Sequence, residues 1–90
     1  MEIEFDLAKA ARTKEERGID FNRVGEVFQR KHLTRRDDRF DYGEEHFTTV
    51  GWYGGRLVAV TWTPRGEVRR IISMRYMHEK EQRTVRDALE

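Results

Sequence analysis

Arg70 and Arg75 are the residues of this chain best suited to hold a phosphate. A guanidinium presents a planar fork that matches two phosphate oxygens at once. Both arginines lie in the run Arg69-Arg70-Ile71-Ile72-Ser73-Met74-Arg75, which reads as a strand. Strict alternation puts Arg69, Ile71, Ser73 and Arg75 on one face and Arg70, Ile72 and Met74 on the other. Arginine on both faces of a central strand is costly to bury. An ion-pair network, a partner protein or a phosphate-bearing substrate must offset that cost. Upstream, Glu44, Glu45 and His46 supply groups able to move a proton.

Such a set suffices to cleave RNA without a metal. A base removes the 2′-hydroxyl proton, a cation stabilises the crowded phosphorane, and an acid protonates the leaving 5′-oxygen. Proton transfer contributes roughly 10²–10⁴-fold, and positioned charge a similar factor. The plainer use of the same arginines is pairing with nearby acids. Other chemistries find little support. There is no Gly-rich phosphate loop, no G-x-S-x-G elbow and no cysteine. His32, His46 and His78 lie far apart in sequence, so neither a metal site nor any cofactor is expected.

The elements that must position these groups follow from the patterning. Ninety residues make a single domain over residues 1–90. A chain of this length buries only about 60–65% of its unfolded surface, so its stability is marginal. Charged residues (39%) outnumber hydrophobic ones (37%), a balance that leans toward disorder. Ten aromatics and clear strand runs argue instead for a folded domain. Residues 1–55 carry ten basic and twelve acidic side chains, and residues 56–90 carry eight and five. That mild asymmetry permits an anionic partner without requiring one. The first ten residues are acidic rather than a basic start before an apolar run. No apolar stretch nears the roughly 20 residues of a membrane span. A cytoplasmic protein with no membrane contact is the expectation.

Ile3 and Phe5 alternate with acids and mark a first strand. Asp6 can cap a helix over 7–16, stopped by Gly18. Asp20 can cap a second helix over 21–30, with Phe21, Val24, Val27 and Phe28 as its apolar stripe. Residues 30–45 read as a long loop that allows a short strand near Phe40. His46–Tyr53, Arg56–Thr63 and Val68–Tyr76 form a three-stranded meander. Its turns are expected at Gly54-Gly55, as type I′, and at Thr63-Pro64-Arg65-Gly66. Residues 78–89 return to a helix. The order β-α-α-β-β-β-α describes a small α+β domain, an antiparallel sheet with helices on one face.

Several strings in this order resemble the BrnT family, the toxin half of bacterial BrnT–BrnA type II toxin–antitoxin modules. Phe5-Asp6 with Lys9 is similar to that family's F-x-W-D-x-x-K opening. Gly18-Ile19-Asp20-Phe21 resembles the end of its K-H-G-V-x-F segment, with Glu16-Arg17 standing in place of Lys-His. Asp38-Arg39 and Tyr42-Gly43-Glu44 resemble its D-x-R…G-E stretch, and Phe47 and Gly51 an aromatic and a glycine beyond it. Arg70-Ile71-Ile72-Ser73-Met74-Arg75 with Glu81 resembles R-I-I-S-x-R-x-A-x-x-x-E, with Met77 at the alanine.

The resemblance implies a RelE-like fold and an endoribonuclease that inhibits translation. It also implies neutralisation by a BrnA-like ribbon-helix-helix antitoxin, through which alone operator DNA is reached. Arg70, Arg75, His46, Glu44 and Lys9 are then the expected catalytic groups. The two arginines hold phosphate, His46 or Glu44 moves protons, and Lys9 supplies charge. Arg17, Arg69 and Glu81 are the expected RNA-binding groups. The exchange of Lys-His for Glu16-Arg17 motivates a second reading, a degenerate toxin fold that acts only by binding its antitoxin.

Overall fold

A computed structural model describes residues 1–39 and 43–90. Strand β1 (Glu2–Phe5) leads into helix α1 (Leu7–Arg17). Asp6 caps α1 by accepting from the Lys9 amide at 2.9 Å. Gly18 closes it in the left-handed region at φ 69°, a conformation that costs glycine no Cβ clash. The second helix is shorter than expected: one 3₁₀ turn, Phe21–Arg23, then α2 (Gly25–Gln29). Its apolar stripe behaves as the spacing predicts, with Phe21, Val24 and Val27 fully buried. Strands β2 (His32–Arg36), β3 (Phe47–Tyr53), β4 (Arg56–Arg65) and β5 (Val68–Tyr76) follow, and α3 (Glu79–Leu89) ends the fold.

The sheet order is β1-β5-β4-β3-β2. The β2–β5 pairs are antiparallel, and β1 joins β5 in parallel. The path explains the layers. Leaving β1 at one edge, the chain must cross the sheet to begin β2 at the other edge. Segment α1–α2 makes that crossing and covers one face. Ile19, Phe21, Val24 and Val27 pack there on Val58, Val60, Trp62, Ile71 and Met74. Gly51 permits this approach, because a Cβ there would stand 2.9 Å from a Val27 methyl. The helices were expected on one face, but α3 turns onto the opposite face and covers only its end, around Leu57, Ala59, Met77 and Leu89, because the alternate residues of β4 are apolar on both sides. The architecture is α+β and consistent with a RelE-like fold. Among the described residues no helix is long and apolar enough to cross a membrane.

Four local expectations need correction. Residues 32–36 are a strand within the expected 30–45 loop. They are polar because an edge strand needs no buried face, and even Leu33 is 41% exposed. (The strand suggested near Phe40 lies outside the described residues.) The Gly54-Gly55 turn has left-handed φ at Gly54 alone, so it is not type I′. The next turn falls two residues later than expected, at Gly66-Glu67, with Gly66 left-handed and Pro64 inside β4. Pro64 is tolerated there because it lies beyond the last β3 rung, Phe47↔Trp62.

The fourth correction matters most. Thr61 pairs with Ser73 and Trp62 with Ile71, so Ile72 is an extra residue, a β-bulge. The bulge resets the alternation of β5. Arg69, Ile71 and Met74 face the α1–α2 layer, whereas Arg70, Ser73 and Arg75 share the opposite face. Strict alternation separates Arg70 from Arg75; the bulge unites them.

Candidate functional site

The face carrying Arg70 and Arg75 is only partly covered, and a groove of about 950 Å³ opens between α3 and the Asp37–Arg39 segment. Its floor can be read in rows across the strands. One row runs Leu33, Val50, Ala59, Arg75, and the next runs Arg35, Thr48, Thr61, Ser73. A third row continues the ladder one rung past the groove lining, which takes in only Asp37 of it: the Asp37 amide donates to the His46 carbonyl at 2.8 Å, and Thr63 pairs with Arg70, which pairs with Glu4. Ser73 therefore stands on β5 between the two arginines. Arg75 lies two residues along the strand from it, about 7 Å.

Arg75 is aimed rather than loose. Its two terminal nitrogens donate to the two Glu81 oxygens, each at 2.8 Å. A Glu81 oxygen also accepts from the His78 amide at 2.9 Å, which fixes the carboxylate in the first turn of α3. The Arg75 side chain remains 43% exposed, open to the groove. Bonding to Glu81 raises the Arg75 pKa. In return the Arg75 guanidinium, then the His78 amide, lower Glu81 from 4.5 to about 2. The Glu81 carboxylate, an expected RNA-binding group, holds the Arg75 guanidinium in place.

That depression has a consequence for stability. A carboxylate whose folded pKa is lowered contributes stability above its unfolded pKa of about 4.3, and loses it as pH falls toward 2. Glu81→Gln should therefore flatten the acid limb: between pH 5 and pH 2 the wild type should lose more thermal stability than the variant. Equal slopes in melts followed by circular dichroism would count against the pairing.

His46 sits in the third row, buried at 8% exposure. Its Nε2 lies 3.3 Å from a Glu44 oxygen, and Glu44 also reaches Arg65 at 3.8 Å. The Thr63 hydroxyl donates to the Glu45 carbonyl at 2.7 Å, which ties this segment to the end of β4. His46 and Arg70 are two strand spacings apart on the same face, about 10 Å. Arg70 makes one longer contact, 3.4 Å to Glu4. The structure thus brings together Arg70, Arg75, Glu44, His46 and Glu81 on one face of the sheet.

Three expected residues lie elsewhere. Arg69 faces the helix layer, its guanidinium carbon 3.9 Å from the Phe28 ring centre and 4.9 Å from that of Trp62. Its Nε is buried with no hydrogen-bond partner among the described residues, and burial lowers its pKa. Stacking on two rings offsets the cost of placing it there. The strand's arginines are thus accounted for separately: aromatic faces for Arg69, acids for Arg70 and Arg75. Lys9 and Arg17 belong to α1, in the layer on the opposite face of the sheet. Arg17 donates to the Met74 carbonyl at 2.8 Å, filling an acceptor on the β5 edge beyond the reach of β1.

Sequence reasoning missed the wall opposite Arg75. Arg35, Asp37 and Arg39 line it, and Arg39 forks onto Asp37 with two bonds of 2.9 Å. The D-x-R string was a usable signal for the Asp37–Arg39 pair. Arg35 carries no such signal, because the polar run 32–36 reads as loop.

No curated protein matches the chain. A family profile described as "Ribonuclease toxin, BrnT, of type II toxin-antitoxin system" matches residues 5–81. The match runs from the end of β1 to the Glu81 that holds Arg75, and so covers the groove lining except Thr84 and Val85 of α3. The chain belongs to the BrnT family of ribonuclease toxins of type II toxin–antitoxin systems.

Proposed function

We propose that this chain cleaves RNA in the groove by metal-independent acid–base chemistry, with the scissile phosphate seated over Ser73 between Arg70 and Arg75. The observation that carries the reading is the bulge at Ile72, which puts both guanidinium groups on the open face. Arg75, oriented by Glu81, takes two phosphate oxygens, and Arg70 meets the charge that grows on the phosphorane. A base takes the 2′-hydroxyl proton and the 2′-oxygen attacks phosphorus. The bond to the 5′-oxygen breaks, and an acid returns a proton to that oxygen. The products are a 2′,3′-cyclic phosphate and a free 5′-hydroxyl. We assign the proton transfer to His46, whose Nε2 has a Glu44 oxygen beside it at 3.3 Å.

Cleavage of cellular RNA would inhibit translation. A ribbon-helix-helix antitoxin neutralises the toxin in this reading by covering the groove, and any operator binding comes through that partner. Purified protein incubated with RNA in excess chelator should yield fragments with cyclic phosphate ends, and induced expression should arrest growth. Intact RNA together with normal growth would refute the proposal.

A further inference from the structure

Arg35 projects from β2 onto the groove face, at the far end of the row that ends in Ser73. It is exposed and makes no hydrogen bond or ion pair among the described residues. Its neighbours behave otherwise: Arg36 pairs with Asp38 at 3.0 Å, and Arg39 with Asp37. Between Arg35 and Ser73 lie Thr48 and Thr61. The hydroxyls of Thr48, Thr61 and Ser73 have no hydrogen-bond partner among the described residues, although all three line the groove. Threonines outside this row are bonded: Thr34 with Thr49 at 2.7 Å, Thr63 to the Glu45 carbonyl, Thr13 to the Lys9 carbonyl.

A row of open hydroxyls ending in an unpaired arginine matches the sugar–phosphate backbone of RNA. Hydroxyls can donate to phosphate oxygens and exchange hydrogen bonds with 2′-hydroxyls, and the guanidinium takes a phosphate. From Arg35 to Ser73 the row crosses three strand spacings, about 14 Å. That is longer than one phosphate, so the row reaches past the position between Arg70 and Arg75. The groove is a recess of about 950 Å³ between α3 and the Asp37–Arg39 segment. It suits a single strand, whereas duplex RNA is bound across two successive minor grooves spanning about 16 base pairs.

We propose that Arg35, with the hydroxyl row of Thr48 and Thr61, forms a second subsite that binds a neighbouring phosphate of single-stranded RNA. This rests on the proposed nuclease reading and extends the same site to the β2 edge. Arg35 is a binding residue here, not a catalytic one.

The test is binding of a short single-stranded 2′-fluoro RNA, which lacks the attacking hydroxyl, to the full chain across a range of salt. Arg35→Gln should weaken binding about fivefold and lower the slope of log affinity against log salt by about 0.7, the value for one phosphate contact on a single strand. Arg35→Lys should keep that slope. Thr61→Val should weaken binding about threefold with the slope unchanged, as loss of one neutral hydrogen bond predicts. Arg83→Gln, on the exposed side of α3, should match the wild type. If the wild type cleaves RNA but Arg35→Gln keeps its affinity and slope, the subsite is refuted and the nuclease reading stands. Weakened antitoxin binding with RNA binding intact would give this wall to the partner and likewise refute the subsite. A wild type that neither binds nor cleaves RNA would end both readings.

Discussion

Replacing Arg75 by glutamine should lower RNA cleavage by about 10²–10³-fold, the usual cost of removing one positioned charge from a transition state. Glutamine keeps a donor and most of the volume but loses the fork and the charge. The fold should survive, because the Arg75–Glu81 pair is more than a third exposed on both sides and exposed pairs contribute little to stability. Arg75→Lys restores the charge without the fork, so partial recovery is the expected signature of bidentate binding. Cleavage rates at saturating RNA, read beside thermal melts, separate lost chemistry from lost structure. A glutamine variant that cleaves like the wild type would remove Arg75 from the mechanism. Antitoxin binding in the same variant adds a second readout: retained binding with lost cleavage places Arg75 in chemistry rather than in the partner interface.

Trp62→Ala should be the most damaging single change to the fold. Trp62 is 7% exposed and stacks on Phe47 with ring centres 5.0 Å apart. Phe28 meets its ring edge-on at 6.1 Å, and its indole nitrogen donates to the buried Thr49 hydroxyl at 2.9 Å. Truncating such a residue costs about 3–5 kcal/mol. Domains of this size hold only about 5–15 kcal/mol in total. The melting temperature should fall by about 15 °C or more. Trp62→Phe keeps a ring in the stack and should cost about a third as much, because it loses one hydrogen bond and part of the ring area. The residue also bears on function. Trp62 pairs with Ile71 on one side of the bulge, so it helps hold the register that turns Arg75 toward the groove. A Trp62→Ala melt within 3 °C of wild type would show that the stack is not what secures this corner.

Much of the frame was legible in the chain. The limits of β5 match the expected Val68–Tyr76 run, and α1 and α3 fall where a capping aspartate, a stopping glycine and helical composition placed them. Such signals are local: a cap, a left-handed glycine and a buried stripe act within a few residues. Arg70 and Arg75 were identified from residue type and from the family string, and the structure puts both on one open face. The β2 strand was not legible, because His32–Arg36 holds one large apolar residue and sits at an edge where burial imposes no pattern.

By itself the sequence determined the element types, the apolar face of the helix layer and the choice of Arg70 and Arg75 as the candidate phosphate-binding pair. The tertiary structure decided which way those arginines point. Period-two counting places Arg69 beside Arg75 and sets Arg70 against them; the molecule does the reverse. The reason is one unpaired residue, Ile72, whose place depends on how β5 registers against Thr61 and Trp62 of β4. Register is a property of two strands together, fixed by burying Trp62, Ile71 and Met74 under the α1–α2 layer. A single strand read alone contains no record of it.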